Sequence, residues 1–171
     1  MHPLLAARAR AYVRDAGTYL GVAAATVPFG LVLRQQGFGQ SPGFLLAVSA
    51  VPPLVATLIA AGQESGVHHA TWGKRRQSLV VTTMTGQPVS FGRALVRNVV
   101  KIGIPWQLGH TVAIGAAFGG FETGDTLTLA ATAVTYPLIA LMIVMVARRN
   151  GRGLHDRLAG TVVQRVRADA A

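Results

Sequence analysis

Four long stretches of the chain contain no Asp, Glu, Lys or Arg, and this feature restricts the possible fold more than any other. They are residues 16–33, 35–63, 102–121 and 126–147. A helix needs about 20 mostly apolar residues to cross the hydrocarbon core of a bilayer. Because a backbone in lipid must satisfy its own hydrogen bonds, helices are the expected form, and none of the stretches has the alternation of a barrel strand. The sequence predicts an all-α membrane protein with a four-transmembrane-helix bundle.

The predicted spans belong to a single membrane domain, residues 1–171, and cover about residues 11–33, 43–62, 102–121 and 126–147. The second span begins late because residues 35–42 are polar and turn-like. We expect the first span to be retained rather than cleaved as a signal peptide, because its apolar run is too long and no small-residue cleavage site closes it. A long loop, 63–101, and a tail, 148–171, lie outside the spans.

The distribution of basic residues predicts the orientation of the chain. Of the 16 Lys and Arg residues, all but Arg34 lie in the N-terminal segment, the long loop or the tail. Basic loops stay in the cytoplasm, so we expect a multi-pass protein of the cell membrane with both termini cytoplasmic. The bases are clustered between long uncharged stretches, which argues against a nucleic-acid partner and favours contact with anionic membrane lipids.

Each predicted span contains proline, and the Pro52–Pro53 pair falls in the middle of the second. We expect that span to be bent or broken there, either with its freed carbonyl groups satisfied by neighbours or as a hinge beside a polar cavity. His110 lies near the middle of the third span, one turn after Trp106. We interpret it either as a neutral histidine bonded to a neighbouring helix or as a group that contacts a ligand or relays protons.

Two segments outside the spans have strand character, residues 78–83 in the long loop and 161–166 in the tail. Ser90 resembles a helix N-cap, and the basic residues that follow it at four-residue steps share one helix face. The sequence predicts a small cytoplasmic cap, in which the two strands pair and pack against this amphipathic helix. The predicted cytoplasmic basic face contains Lys74, Arg75, Arg76, Arg93, Arg97 and Lys101.

Three motifs resemble the RDD family of small integral membrane proteins, which is named after one arginine and two aspartates. They are RxxAxxxD at residues 8–15, WGKRR at 72–76 with SFGRALVR at 90–97, and LHDRLAGT at 154–161. The motifs occur in order and cover both ends and the middle of the chain. The resemblance implies an integral membrane protein, and ion- or proton-coupled transport has been suggested for some relatives.

The first motif places Arg8, Ala11 and Asp15 within about 60° of one another around the first helix. Ala11 leaves room for another segment to press against this stripe, and Asp156 in the tail can reach the same level. We therefore predict a hydrogen-bonded cluster of Arg8, Asp15 and Asp156. The cluster is interpreted either as an electrostatic staple that docks the tail beneath the helices or as a site for a small cation or proton.

Two classes of function fit the sequence. The first is an ion- or proton-coupled transporter that uses Asp15 and His110; because four spans are few for a pore, it predicts a homo-oligomer. The second is an accessory or scaffold protein that binds anionic lipid or a membrane partner through the basic face. No nucleophile–base pair, phosphate loop or paired carboxylates are visible, so we expect neither an enzyme nor a cofactor. Glu64, His68 and His69 give only a weak metal-binding pattern, and no metal site is expected.

Overall fold

The computed structural model describes residues 1–166 and is mostly helical, with one small sheet. In chain order its elements are α1 (Leu5–Gln35), α2 (Pro42–Ser49), α3 (Val51–Ser65), α4 (Trp72–Arg75), β1 (Leu79–Thr83), α5 (Phe91–Asn98), α6 (Ile104–Ala117), α7 (Thr126–Ala147), α8 (Leu154–Leu158) and β2 (Thr161–Arg165). A 3-10 turn at Phe38–Gln40 precedes α2, and a π-helical segment at Val99–Gly103 joins α5 to α6. The end of the predicted tail, 167–171, lies outside the described residues.

Within residues 1–166, three helical stretches are long and apolar enough to cross a membrane: α1, the α2–α3 pair and α7. Helix α7 has the bounds predicted for the fourth span, whereas α1 begins at Leu5 rather than at residue 11. The third predicted span corresponds to α6, which has only 14 residues and a length of about 21 Å. That α6 is an additional membrane span therefore stays a prediction. Phe29 on α1 and Ile143 on α7 are each 62% exposed, as expected for side chains that lipid covers.

The second apolar stretch is interrupted at Ala50, two residues before the Pro52–Pro53 pair, as predicted for this proline pair. The second proline has no N–H to donate to the carbonyl of Ser49, four residues earlier. Side chains of α6 replace the lost donors. His110 Nδ1 lies 2.8 Å from Ser49 O, and Gln107 Nε2 donates to another carbonyl of α2 over 3.2 Å. Side chains of a neighbouring helix thus bond to the backbone carbonyl groups at the interruption.

The predicted pairing of the two strands is confirmed. β1 and β2 are antiparallel, with Val81 opposite Val163. Their inward side chains share a small apolar core with Ala94 of α5 and with Ala7 and Ala11 of α1. This core fixes the sheet against the helices. We call the end of the helices at which α4, α8, β1 and β2 lie the capped end.

The π-helical segment has a local cause. Pro105 cannot donate to the carbonyl of Lys101, so the α-helical pattern fails one residue before the proline. Ile104 N–H instead bonds to the carbonyl of Val99, five residues earlier, which is the π pattern. As a result, the chain from Phe91 to Ala117 stays helical while Lys101 lies on its widened turn.

Candidate functional site

The tail is held at the capped end by a buried carboxylate. Asp156 is fully buried, and its Oδ2 accepts a hydrogen bond from Arg8 Nη2 over 2.8 Å and one from the N–H of Gly153 over 2.9 Å. Its Oδ1 accepts a hydrogen bond from Arg97 Nη1. The structure therefore brings together Arg8 and Asp156, which lie at opposite ends of the chain, and adds Arg97 from α5.

A second buried carboxylate extends this network into α3. Glu64 is fully buried, and its Oε1 accepts a hydrogen bond from Lys74 Nζ over 2.7 Å. Its Oε2 accepts one from Asn98 Nδ2 over 2.8 Å and lies 3.0 Å from Arg97 Nε, an ion-pair distance. Arg97 consequently bridges the carboxylates of α3 and α8, and the ion pairs connect five separate segments of the chain.

The electrostatics at Asp156 favour its charged form. Burial opposes ionisation, but the guanidinium groups of Arg97 and Arg8 outweigh that effect and hold the pKa of Asp156 well below its usual range. Burial, followed by the nearby Arg97, lowers the pKa of His155 well below its ordinary value. His155 is therefore neutral at pH 7, and the 3.4 Å between its Nε2 and Asp156 Oδ2 is not an ion pair.

Asp15 lies apart from the Arg8–Asp156 pair. Its Oδ2 accepts a hydrogen bond from the Thr71 hydroxyl over 2.6 Å, and its Oδ1 accepts one from the N–H of Gly73 over 2.7 Å. A Cβ atom at residue 73 would overlap the carbonyl of Ala11, so glycine permits this approach. Ala11 does leave room for another segment, and that segment is the start of α4. The predicted three-residue cluster is thus divided, because neutral donors of the long loop take both oxygens of Asp15.

A cavity of about 40 Å³ lies at the capped end, between Asp15 and the two arginines that bind Asp156. Its polar lining consists of Arg8, Tyr12, Asp15, Lys74, Arg97 and Lys101. Lys101 is the least paired of these cations. Among residues 1–166 its ammonium has no ion-pair partner, and it lies 5.4 Å from the centre of the Tyr12 ring. Burial and then the positive charge of Lys74 lower the pKa of Lys101 to about 7.

The predicted basic face is only partly on the surface. Arg75, Arg76 and Arg93 are exposed, but Lys74 is 5% exposed and Arg97 is 1% exposed. For Lys74 and Arg97 the prediction of a basic surface is wrong, because both side chains turn inward to the carboxylates of the network.

Sequence reasoning also missed Glu64, which was considered only as a weak metal ligand. One signal was available: Glu64 is the acidic residue that ends a long uncharged stretch, and a loop rich in cations follows it. A carboxylate at the end of such a stretch needs a nearby cation.

His110 lies in a neutral hydrogen-bonded chain. The indole N–H of Trp106 donates to His110 Nε2 over 3.0 Å, so Nε2 is unprotonated. Nδ1 then carries the proton and donates to the carbonyl of Ser49 over 2.8 Å. This geometry matches the first interpretation of His110, a neutral histidine bonded to a neighbouring helix.

Comparison with known proteins gives one match. The family model described as the RDD family matches residues 3–160, nearly the whole chain. The matched range contains every residue of the buried network and of the cavity lining. No curated protein and no solved structure matches the chain.

Proposed function

This chain belongs to the RDD family and is a membrane protein, and from that premise we propose that it carries out ion- or proton-coupled transport. In the proposed topology, α1, α2–α3, α6 and α7 form four spans, and the capped end faces the cytoplasm. The clustering of basic residues at the capped end supports this orientation. Because four spans are few for a pore, the active form is a homo-oligomer.

The observation that carries the proposal is the charge arrangement around the cavity. Glu64 and Asp156 are bonded to cations, whereas within the part of the chain that the structure describes Asp15 is bonded only to neutral donors. Lys101 has no ion pair among residues 1–166. Ionisable groups of a membrane protein that face a cavity without a partner of opposite charge are candidates for an ion or proton pathway.

Buried polar atoms beyond the cavity provide further support. Within residues 1–166, the hydroxyl groups of Tyr19 and Thr57 are buried without a hydrogen-bond partner. Tyr19 follows Asp15 by one helical turn and belongs to the same packed cluster as Trp106, which bonds His110. Unsatisfied buried polar groups are rare in proteins. In this proposal they provide steps for ions or protons between the cavity and His110.

Flux measurements in proteoliposomes test the proposal. We expect the wild-type chain to dissipate an imposed pH or Na⁺ gradient, and Asp15→Asn to abolish this flux while keeping its folded size in detergent. The matched control is Arg14→Gln, which changes the exposed neighbour of Asp15 on α1. Absence of flux from folded wild-type protein, or full flux from folded Asp15→Asn, would contradict the proposal.

A specific observation also favours the accessory role. Arg75, Arg76 and Arg93 are exposed, and the guanidinium of Arg76 lies 5.4 Å from the ring centre of Trp72, which is 42% exposed. An exposed aromatic ring next to basic groups is typical of a membrane interface. The accessory role predicts no flux. It also predicts that the double substitution Arg75→Gln, Arg76→Gln reduces co-purification of anionic lipid, measured by native mass spectrometry, whereas Arg165→Gln does not.

A further inference from the structure

We propose that the cavity at the capped end binds one small monovalent anion, with chloride or fluoride as the best-fitting class, and that Lys101 takes up a proton as the anion binds. This inference rests on the proposed function and deepens it, because it names the substrate of the transport. It concerns the cavity itself rather than the ion pairs that surround it.

Among residues 1–166, the charges around the cavity leave one positive charge uncompensated. When Lys101 is protonated, four cations line the cavity and three carboxylates lie in its lining or against those cations. The cations are Arg8, Lys74, Arg97 and Lys101, and the carboxylates are Asp15, Glu64 and Asp156. One monovalent anion would neutralise the excess. A cation next to Asp15 would instead be repelled by four positive groups in a partly dry space.

The size and donors of the cavity select the anion. A volume of about 40 Å³ accommodates roughly three water-sized atoms, so a halide with one or two waters fits and an organic anion of several carbon atoms does not. The ammonium of Lys101 offers three donors, and within residues 1–166 none of them is used in a hydrogen bond to protein. The ammonium itself lies 5.4 Å from the centre of the Tyr12 ring, which also lines the cavity. Lys101 also lies on the π-helical turn, and such turns are frequent at functional sites.

Coupling to a proton follows from the surroundings of Lys101. The titratable and charged groups that face it from the packed elements are Arg8, Tyr12 and Asp15 of α1, Glu64 of α3, Lys74 of α4, Arg97 of α5, and His155 and Asp156 of α8. Without an anion, burial and Lys74 hold the pKa of Lys101 at about 7. A bound anion favours the ammonium and raises that pKa, so proton and anion bind together.

The test is chloride binding to the purified full-length chain in detergent, measured by calorimetry from pH 6 to 9 with gluconate as the balancing anion. For one linked proton, we expect the affinity of the wild type to fall about tenfold per pH unit above pH 7 and protons to be taken up on binding. Lys101→Arg keeps a permanent charge, so it should bind chloride without this pH dependence. Lys101→Gln should lose binding, and the exposed-site control Arg14→Gln should match the wild type.

Several results would overturn the inference. They are equal chloride affinity of the wild type at pH 6 and pH 9, wild-type binding by folded Lys101→Gln, and binding heat with sodium gluconate as the titrant but none with choline chloride. If Lys101→Gln does not fold, Lys101→Arg decides the matter, because loss of the pH dependence is a signature that a structural role does not produce. Proton or Na⁺ flux that ignores chloride would leave the transport proposal intact and remove the anion. Chloride binding without any flux would leave the anion site intact and contradict the transport proposal.

Discussion

The capped end and the interruption of the second apolar stretch both bury polar groups, but they satisfy them by different means. At the capped end, Arg97 holds Glu64 and Asp156 through ion pairs. At the interruption, His110 caps the carbonyl of Ser49 with a neutral hydrogen bond. A free backbone carbonyl needs only one donor, and a neutral side chain supplies it without the cost of burying a charge. The difference teaches that a neutral donor is enough to repair the backbone, whereas opposite charges join the separate segments at the capped end.

The largest expected effect is the loss of the bridging cation. Arg97→Met leaves two fully buried carboxylates short of a partner, and removal of one member of a buried ion pair costs about 3–5 kcal/mol. We expect a corresponding drop in the free energy of unfolding, measured in mixed detergent, and lower amounts of folded protein. Arg93→Met, one turn earlier on the same face of α5 but at an exposed position, should change stability little. Equal stabilities of the two variants would contradict the bridging role of Arg97.

A smaller effect is expected where α4 meets α1. Gly73→Ala places a methyl group against the Ala11 carbonyl and the carboxylate of Asp15, so α4 must move away. Overpacking of this kind costs about 1–3 kcal/mol. The matched control is Gly62→Ala in α3, where a Cβ atom would meet nothing within 4 Å and helix propensity favours alanine. The unfolding temperatures of both variants, measured by thermal melts, test this prediction. If Gly73→Ala unfolds at or above the temperature of the wild type, α4 does not approach α1 as closely as described.

At the interruption of the second apolar stretch, the expected effect on stability is that of losing one neutral hydrogen-bond donor. His110→Phe keeps the ring but leaves the Ser49 carbonyl without its partner, which costs about 1–3 kcal/mol for a buried acceptor. Thr111→Val serves as the control, because the Thr111 hydroxyl bonds only to the carbonyl of Gln107 within its own helix. Hydrogen exchange around Ala50 should increase in His110→Phe and not in Thr111→Val. A proton-relay role for His110 would show as lost flux without this local change.

The smallest expected effect is a change in how stability depends on pH in the acid range. The folded-state pKa of Asp156 is depressed, so its ionised form stabilises the protein above the unfolded-state pKa of about 4. That contribution is lost as pH falls below this value, since the unfolded chain then binds the proton more readily. Acid titration of unfolding should show the loss in the wild type and a shallower dependence in Asp156→Asn. Identical slopes in both would show that Asp156 is not held ionised by its partners.

The apolar stretches, the proline pair and the strand character of two short segments were enough to predict three features of the fold. Helix α7 has its predicted bounds, the second stretch breaks at its proline pair, and β1 pairs with β2. These features depend on local composition and on backbone donors that proline removes, and both can be seen in sequence. The four-residue spacing of Arg93 and Arg97 was equally visible in the sequence, but it did not indicate which of the two side chains is buried.

The tertiary structure decided the other partners of the charged groups. The predicted Arg8–Asp156 hydrogen bond is present, but Arg97 joins it, and Asp15 takes its donors from a loop 56 and 58 positions away. The energy of a buried charge depends on which groups lie within a few ångströms of it, and that depends on how α1, α3, α5 and α8 converge. The sequence by itself determined which segments are apolar enough to enter lipid and which charges stay at the ends. The packing of those ends determined that Arg97 is a bridge and that Lys101 faces a cavity.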